Sequence, residues 1–425
     1  MGNKPWRDWV PGVLTRRQVG ALVKTGAITE VEAYPEHDSD QVPPSQYDHS
    51  SLDLHIAEEG FELIEGAVKP SGSKYFFNLR KDRLISPLQP CSKGVFQLKA
   101  KKTYLFKLKE RLDIGDMRTA EIYGQATAPS TIGRMDVLAR LVVDGMSEYD
   151  YFDPEDLDGS MGELFVEVTP MTFNVMVRPN DRLTQLRFFY GPPEASIISG
   201  KKVCKAVLLR DEKQIDHILR VDLTPTPIAN RTASAFYVNY QERPDTYLPL
   251  WEPSAEEKPK PWQYWWLDKA DERNRLQIKA GRFYILRSKE RIALTKNVAV
   301  YARAIDESIG EMRIHYAGFV HPFFGRENKE PGKIGTPLIF EVRGHDVDVS
   351  LRDGEKMAKL IFYRMSEDCG EEKKSGASGE HSVYNDPYAN QELQLSKIFA
   401  PWPGELEEIP DQPGRVRPKR KEAGK

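Results

Sequence analysis

Short runs of alternating apolar and polar residues recur along most of the chain. Thr103-Tyr104-Leu105-Phe106-Lys107-Leu108, Phe173-Asn174-Val175-Met176-Val177 and Asp346-Val347-Asp348-Val349-Ser350-Leu351 are typical, and Pro, Gly, Asn and Asp bound them. A period of two between turn formers predicts strands with one buried face. Arg178-Pro179-Asn180-Asp181 and Arg352-Asp353-Gly354-Glu355 read as tight turns between such strands. Helical spacing shows at two places. Thr15 to Thr25 offers a threonine N-cap and sets Val19, Leu22 and Val23 on one face, and Asp211 to Leu219 is a weaker second. The pattern therefore predicts a mainly β fold with a few short helices.

The pattern also repeats. Gln97-Leu98-Lys99-Ala100 falls on Gln277-Ile278-Lys279-Ala280, a shift of 180, and Ile132-Gly133-Arg134-Met135 on Ile309-Gly310-Glu311-Met312, a shift of 177. Leu164-Phe165-Val166-Glu167-Val168 falls on Leu338-Ile339-Phe340-Glu341-Val342, a shift of 174 that holds through Phe188 and Phe362. A period this long exceeds a solenoid unit, so each copy is expected to own a core. The expectation is two tandem barrel-like or jelly-roll domains, residues 1–200 and 201–409, followed by a basic tail, 410–425. Glu367 to Ser382 and the end from Pro410 are expected to be unstructured, being rich in Gly, Ser, Pro and charge.

Composition narrows the function. Sixty-one basic against 64 acidic residues among 425 leave a net charge of -3, which argues against a general nucleic-acid or anionic-membrane binder. No apolar run approaches the roughly 18 residues a membrane helix needs. The N-terminal stretch does not read as a secretory signal, and the scattered Cys91, Cys204 and Cys369 are expected to form neither a disulfide framework nor a Cys-x-x-Cys metal site. A cytoplasmic location is expected.

Ser130-Thr131-Ile132-Gly133-Arg134-Met135, followed by Glu167 in a strand, resembles the Ser-Ser-x-x-Arg motif and catalytic glutamate of the dCTP deaminase family. Ser51-Leu52-Asp53-Leu54 and, near the end, Tyr388-Ala389-Asn390-Gln391 before Ser396-Lys397 fit the same family in the same order, and its long tandem form is similar over roughly residues 12 to 400. The resemblance implies a β-barrel shared with trimeric dUTPases, hydrolytic conversion of dCTP to dUTP and ammonia, and no zinc. It also implies magnesium carried by the substrate's triphosphate and a homo-oligomer, the trimer being the form those relatives take.

It implies roles as well. Glu167 is expected to activate the attacking water, with its proton affinity raised by burial; Ser130 to position that water; and Arg134 to offset developing negative charge. Thr131, Tyr384, Tyr388, Gln391 and Lys397 are the expected substrate-binding residues, the last four on a segment that closes over the triphosphate. In the second copy Glu307, Glu311 and Glu341 stand where the first has Ser130, Arg134 and Glu167. Three acids repel a triphosphate, so that copy is expected to be structural or to complete the first copy's site across an interface. Pro129 before the serine, His321-Pro322 in place of Asp-Pro, and Ala233 to Asn239 without the expected Gly and Asp depart from the family. They leave open a modified cytosine nucleotide or lost activity, as in a silent nucleotide-binding homologue; a dUTP diphosphatase of the same fold is the other alternative, although the Gly-x-Ile-Asp-like hairpin that chemistry wants is not found.

Overall fold

The computed structural model describes residues 5–31, 46–91, 94–159, 161–208, 216–238, 246–305, 312–315, 318–326, 335–369 and 391–419. Two ten-stranded, strongly curled sheets dominate it. In the first, the order is Val137–Val143, Met161–Pro170, Tyr104–Asp113, Leu52–Leu63, Arg182–Tyr190, Ile122–Thr127 and Tyr151–Phe152, with three short strands beside this path. In the second it is Trp265–Asp268, Ala235–Val238, Phe283–Ile292, Ile218–Asp222, Lys356–Arg364, Val298–Ala304 and Phe319–Val320, again with further strands beside it. Alternation explains the curl. Leu164, Val166 and Val168 turn inward to one core, while Phe165 between them joins a smaller cluster outside. Gly60 permits the tight bend of Leu52–Leu63, because a Cβ there would meet the Phe106 ring at 2.5 Å.

The repeat is structural. Phe96–Leu98 pairs antiparallel with Asn174–Val177, and Arg275–Ile278 with Val349–Arg352. Glu167 stands opposite Leu105 and Glu341 opposite Ile285, so the two glutamates hold equivalent places. The turns at Arg178–Asp181 and Arg352–Glu355 form as expected. The third predicted strand starts later, at Val349, because Asp348 is used in a turn, accepting from the Ala280 amide and Lys279.

The copies share core. Phe236, Trp265, Phe283 and Ile285 of the second lie in one apolar cluster with the first copy's interior, and Tyr247–Pro249 runs parallel to Asn174–Val177. Arg187, wholly buried, donates to the carbonyls of Val300 (3.0 Å) and Val320 (3.4 Å) and lies 4.0 Å over the Phe319 ring.

The helix at Arg16–Thr25 is capped by Thr15 with Gln18 in a reciprocal capping box and ends at left-handed Gly26. The weaker helical expectation, Asp211 to Leu219, is not met at its described end. Residues 211–215 lie outside the described residues, and from Ile218 the chain is a strand whose Leu219 and Val221 alternate into the second core. The helix there is Lys201–Val207, too short to give a clear period and without a side-chain cap. The tail is not unstructured up to Lys419. Leu406–Glu408 and Val416–Pro418 form a hairpin that buries Leu406 and Val416. Its turn glycine, Gly414, bonds through its carbonyl to the Leu267 amide at 2.7 Å. Of the predicted loop from Glu367, only Glu367 to Cys369 fall within the described residues, and Glu367 is bound by Thr15 and Arg17.

A candidate active site between the copies

Ser130 opens a four-residue helix, Ser130–Gly133, that follows Pro129 and leads through Arg134 into the strand Val137–Val143. Ser130 is exposed and Thr131 half-buried, and the Thr131 carbonyl accepts from Ser396 at 2.9 Å. Arg134 is buried, and its side chain leaves its own copy. One terminal nitrogen donates to the Gln394 carbonyl at 3.2 Å, the other to the Gln391 side chain, and Nε lies 3.9 Å from Oε1 of Glu341. Glu341 is also buried. Burial pushes its carboxyl up to about 8, against the pull of Arg134, with Asp136 adding to the rise.

Glu167, its counterpart, has a different setting. It lies under the helix Tyr75–Lys81 beside the outer apolar cluster of Leu105, Val142 and Phe165. Tyr149 donates to it at 3.0 Å, and Tyr75 also bonds to it; both hydroxyls reach the Val68 carbonyl as well. Burial raises its proton affinity, and the Tyr149 hydrogen bond opposes the rise.

Of the expected site residues, Arg134 and Gln391 are therefore brought together, with Ser130 and Thr131 on the adjoining helix. Gln391 donates to the Pro337 carbonyl at 2.9 Å, and the next residue, Glu392, is held by Arg287 (2.7 Å) and Arg291 (2.8 Å). Lys397 pairs with Glu252 at 3.2 Å. Tyr384, Tyr388, Glu307 and Glu311 lie outside the described residues.

Residue-by-residue reading missed Asp136, Thr172 and Arg343. The buried Asp136 carboxylate accepts from Arg343 of the other copy and from Thr172, and Arg343 donates also to Thr172 (2.6 Å) and the Gly281 carbonyl (2.8 Å). A signal existed in the repeat. Its shifts set Asp136 on Arg313 and Thr169 on Arg343, charged differences that equivalent surfaces do not need.

Among the described residues, Asp48, His49 and His321 are grouped closely enough to hold a metal, their ligand atoms within 4.8 Å of one another. Burial raises the proton affinity of Asp48, but His321, His49 and Arg16 outweigh it. That carboxylate is thus already balanced by protein cations, including the nearby Arg187. A cavity of about 410 Å³ beside Tyr151 carries Glu148, Asp156 and Glu194, a lining that repels phosphate.

Two family models match the chain: the 2'-deoxycytidine 5'-triphosphate deaminase N-terminal domain over residues 10–192, and the C-terminal domain of the same enzyme over residues 204–399. No curated protein sequence matches. Among solved structures, the crystal structure of 2'-deoxycytidine 5'-triphosphate deaminase from Agrobacterium tumefaciens superposes with a TM-score of 0.70 at 23% identity, covering 85% of this chain and 99% of that one.

Proposed function

Because the chain belongs to the 2'-deoxycytidine 5'-triphosphate deaminase family, whose members are hydrolytic deaminases, we propose that it converts dCTP to dUTP and ammonia at the Arg134–Glu341 cluster between its copies. The observation that carries this reading is the meeting of the first copy's buried arginine with the second copy's buried glutamate, 3.9 Å apart.

Hydrolysis needs a water deprotonated as it attacks C4 of cytosine, and a proton delivered to the ring and then to the departing amine. A carboxyl with proton affinity near neutrality can take the first proton and return it. Glu341, pushed up to about 8, suits that exchange. Glu341 takes one water proton as C4–O forms and delivers it to N3; it then takes the hydroxyl proton and passes it to the 4-amino group as C4–N breaks, leaving C4=O, N3–H and ammonia. Arg134 stabilises negative charge as the water attacks. Ser130, exposed at the start of the adjoining helix, would align the water, and Thr131 would line the substrate's path.

Gln391, Lys397, Tyr384 and Tyr388 would bind the triphosphate from the C-terminal segment. Magnesium would arrive on that triphosphate and reduce its charge, with no metal held by protein side chains alone. Assembly as a cytoplasmic homo-oligomer, feeding dUTP onward to thymidylate synthesis, belongs to the same reading.

Glu167 supports a second reading, since burial raises its proton affinity too. The discriminating experiment follows ammonia and dUTP formation from dCTP with magnesium. Glu341→Gln is expected to lower kcat by about 10²–10⁴-fold, and Glu167→Gln to keep most of it. The reverse order of losses moves the base to Glu167, and no turnover of dCTP by folded protein sinks both readings.

A further inference from the structure

We propose that Asp136 is a positioning residue for this reaction, holding Arg343 off Glu341 so that the base answers to Arg134. The inference rests on Glu341 being the base.

Glu341 and Arg343 are two apart on the strand Thr336–Gly344 and so share a face. Their cross-strand partners, Ile285 and Phe283, lie in the core shared with the first copy, which puts both charged side chains at the contact between copies. Opposite them, one turn of the first copy supplies Arg134 and, two residues on, Asp136. The result is two crossed ion pairs, Arg134 with Glu341 and Asp136 with Arg343. Asp136 holds a left-handed backbone (φ 55°) and its carbonyl takes the Met171 amide at 2.8 Å, so its direction is set by the fold.

Without Asp136, Arg343 keeps only neutral partners, the Thr172 hydroxyl and the Gly281 carbonyl, and no carboxylate of the first copy competes with Glu341 for its charge. A carboxylate between two arginines stays ionised and cannot relay a proton. Asp136 also adds its own negative charge beside the base. One further fact sets this pair apart from a purely stabilising one. Oδ1 of Asp136 is buried with no hydrogen-bond partner among the described residues, a costly arrangement where only stability is served.

The charged groups facing Glu341 among the described side chains are Arg134 and Asp136 from the first copy and Arg343 on its own strand, and the backbone of His315 pairs opposite Glu341 in register on Met312–His315. Arg287 stands two pairs along on Phe283–Ile292 and is occupied by Asp222 and Glu392.

The test is a set of pH–rate profiles for dCTP deamination. Asp136→Asn, close to isosteric, is expected to shift the kcat profile to lower pH by about one unit and to cut kcat at pH 8 by about tenfold, with KM nearly unchanged. Thr172→Val, which removes two hydrogen bonds but no charge, is expected to leave the position of the profile. Asp136→Asn/Arg343→Met removes both charges and is expected to return the profile to its wild-type position. Activity lost without a shift, or a double variant that stays displaced, overturns the proposal in favour of a structural pair. If Asp136→Asn does not fold, the double variant decides on the same criterion. A readout free of turnover separates this from failure of the deaminase reading. Proton uptake of the folded protein, compared with the same background carrying Glu341→Gln, gives the titration midpoint of Glu341. A midpoint unmoved by Asp136→Asn overturns the inference whether or not dCTP is consumed.

Discussion

Two glutamates at equivalent places in two copies of one fold are both raised in proton affinity by burial, but different groups cover them. Tyr149 and Tyr75 from its own copy close over Glu167, whereas Glu341 meets Arg134 from the other copy. The proton affinity of Glu341 has a consequence for stability. Its carboxyl titrates near 4.5 when unfolded and near 8 when folded, so the folded state holds the proton more tightly. Below about pH 4.5 this costs nothing, the cost grows as pH rises to about 8, and it is constant above. Glu341→Gln should therefore match wild type at pH 4 and exceed it at pH 9, by an amount on the order of 1–3 kcal/mol. Urea unfolding at several pH values checks this, and equal stability at pH 9 refutes it. Tyr149→Phe should cost about 1–3 kcal/mol, since a buried carboxylate loses a donor, and leave kcat within a few-fold. A kcat loss as large as that of Glu341→Gln would return catalysis to Glu167. The Ser-x-x-x-Arg spacing and both glutamates were legible in the sequence. That Arg134 reaches Glu341 was not, because only the packing of one copy on the other decides it.

Secondary structure was legible in proportion to length and period. The long strands Tyr104–Asp113 and Met161–Pro170 and the capped helix Arg16–Thr25 carry clear signals. Lys201–Val207 has seven residues and no side-chain cap, and Ile218 and Leu219, which open the strand Ile218–Asp222, read as a helix end because two apolar neighbours fit either period. The terminal hairpin was hidden for another reason. Each of its strands has three residues and buries one, so nothing alternates long enough to be seen, and Gly414 does the anchoring. A Cβ at Gly414 would stand 2.2 Å from the Leu267 carbonyl oxygen, and its φ is +82°. Gly414→Ala is expected to detach residues 406–418 while the two sheets stay folded. Hydrogen exchange would show lost protection at Leu406 and Val416, and retained protection there would contradict the assignment of the anchor.

For the whole molecule, the tandem repeat was legible and the depth of contact between its halves was not, since periodicity says nothing about which outer faces meet. The shared apolar cluster and the buried Arg187 join the copies so closely that neither should melt alone. Calorimetry is expected to record one transition, and Arg187→Leu, which strips donors from two buried carbonyls, to lower its midpoint. Two well-separated wild-type transitions would refute this. The joining of Arg134 and Glu341 also has a reading in genetics. The two side chains that must meet are carried by one polypeptide, at its internal seam. With catalysis at that seam, as proposed, an allele with Arg134→Ala and an allele with Glu341→Gln, expressed together, should fail to complement in an assay of ammonia release from dCTP.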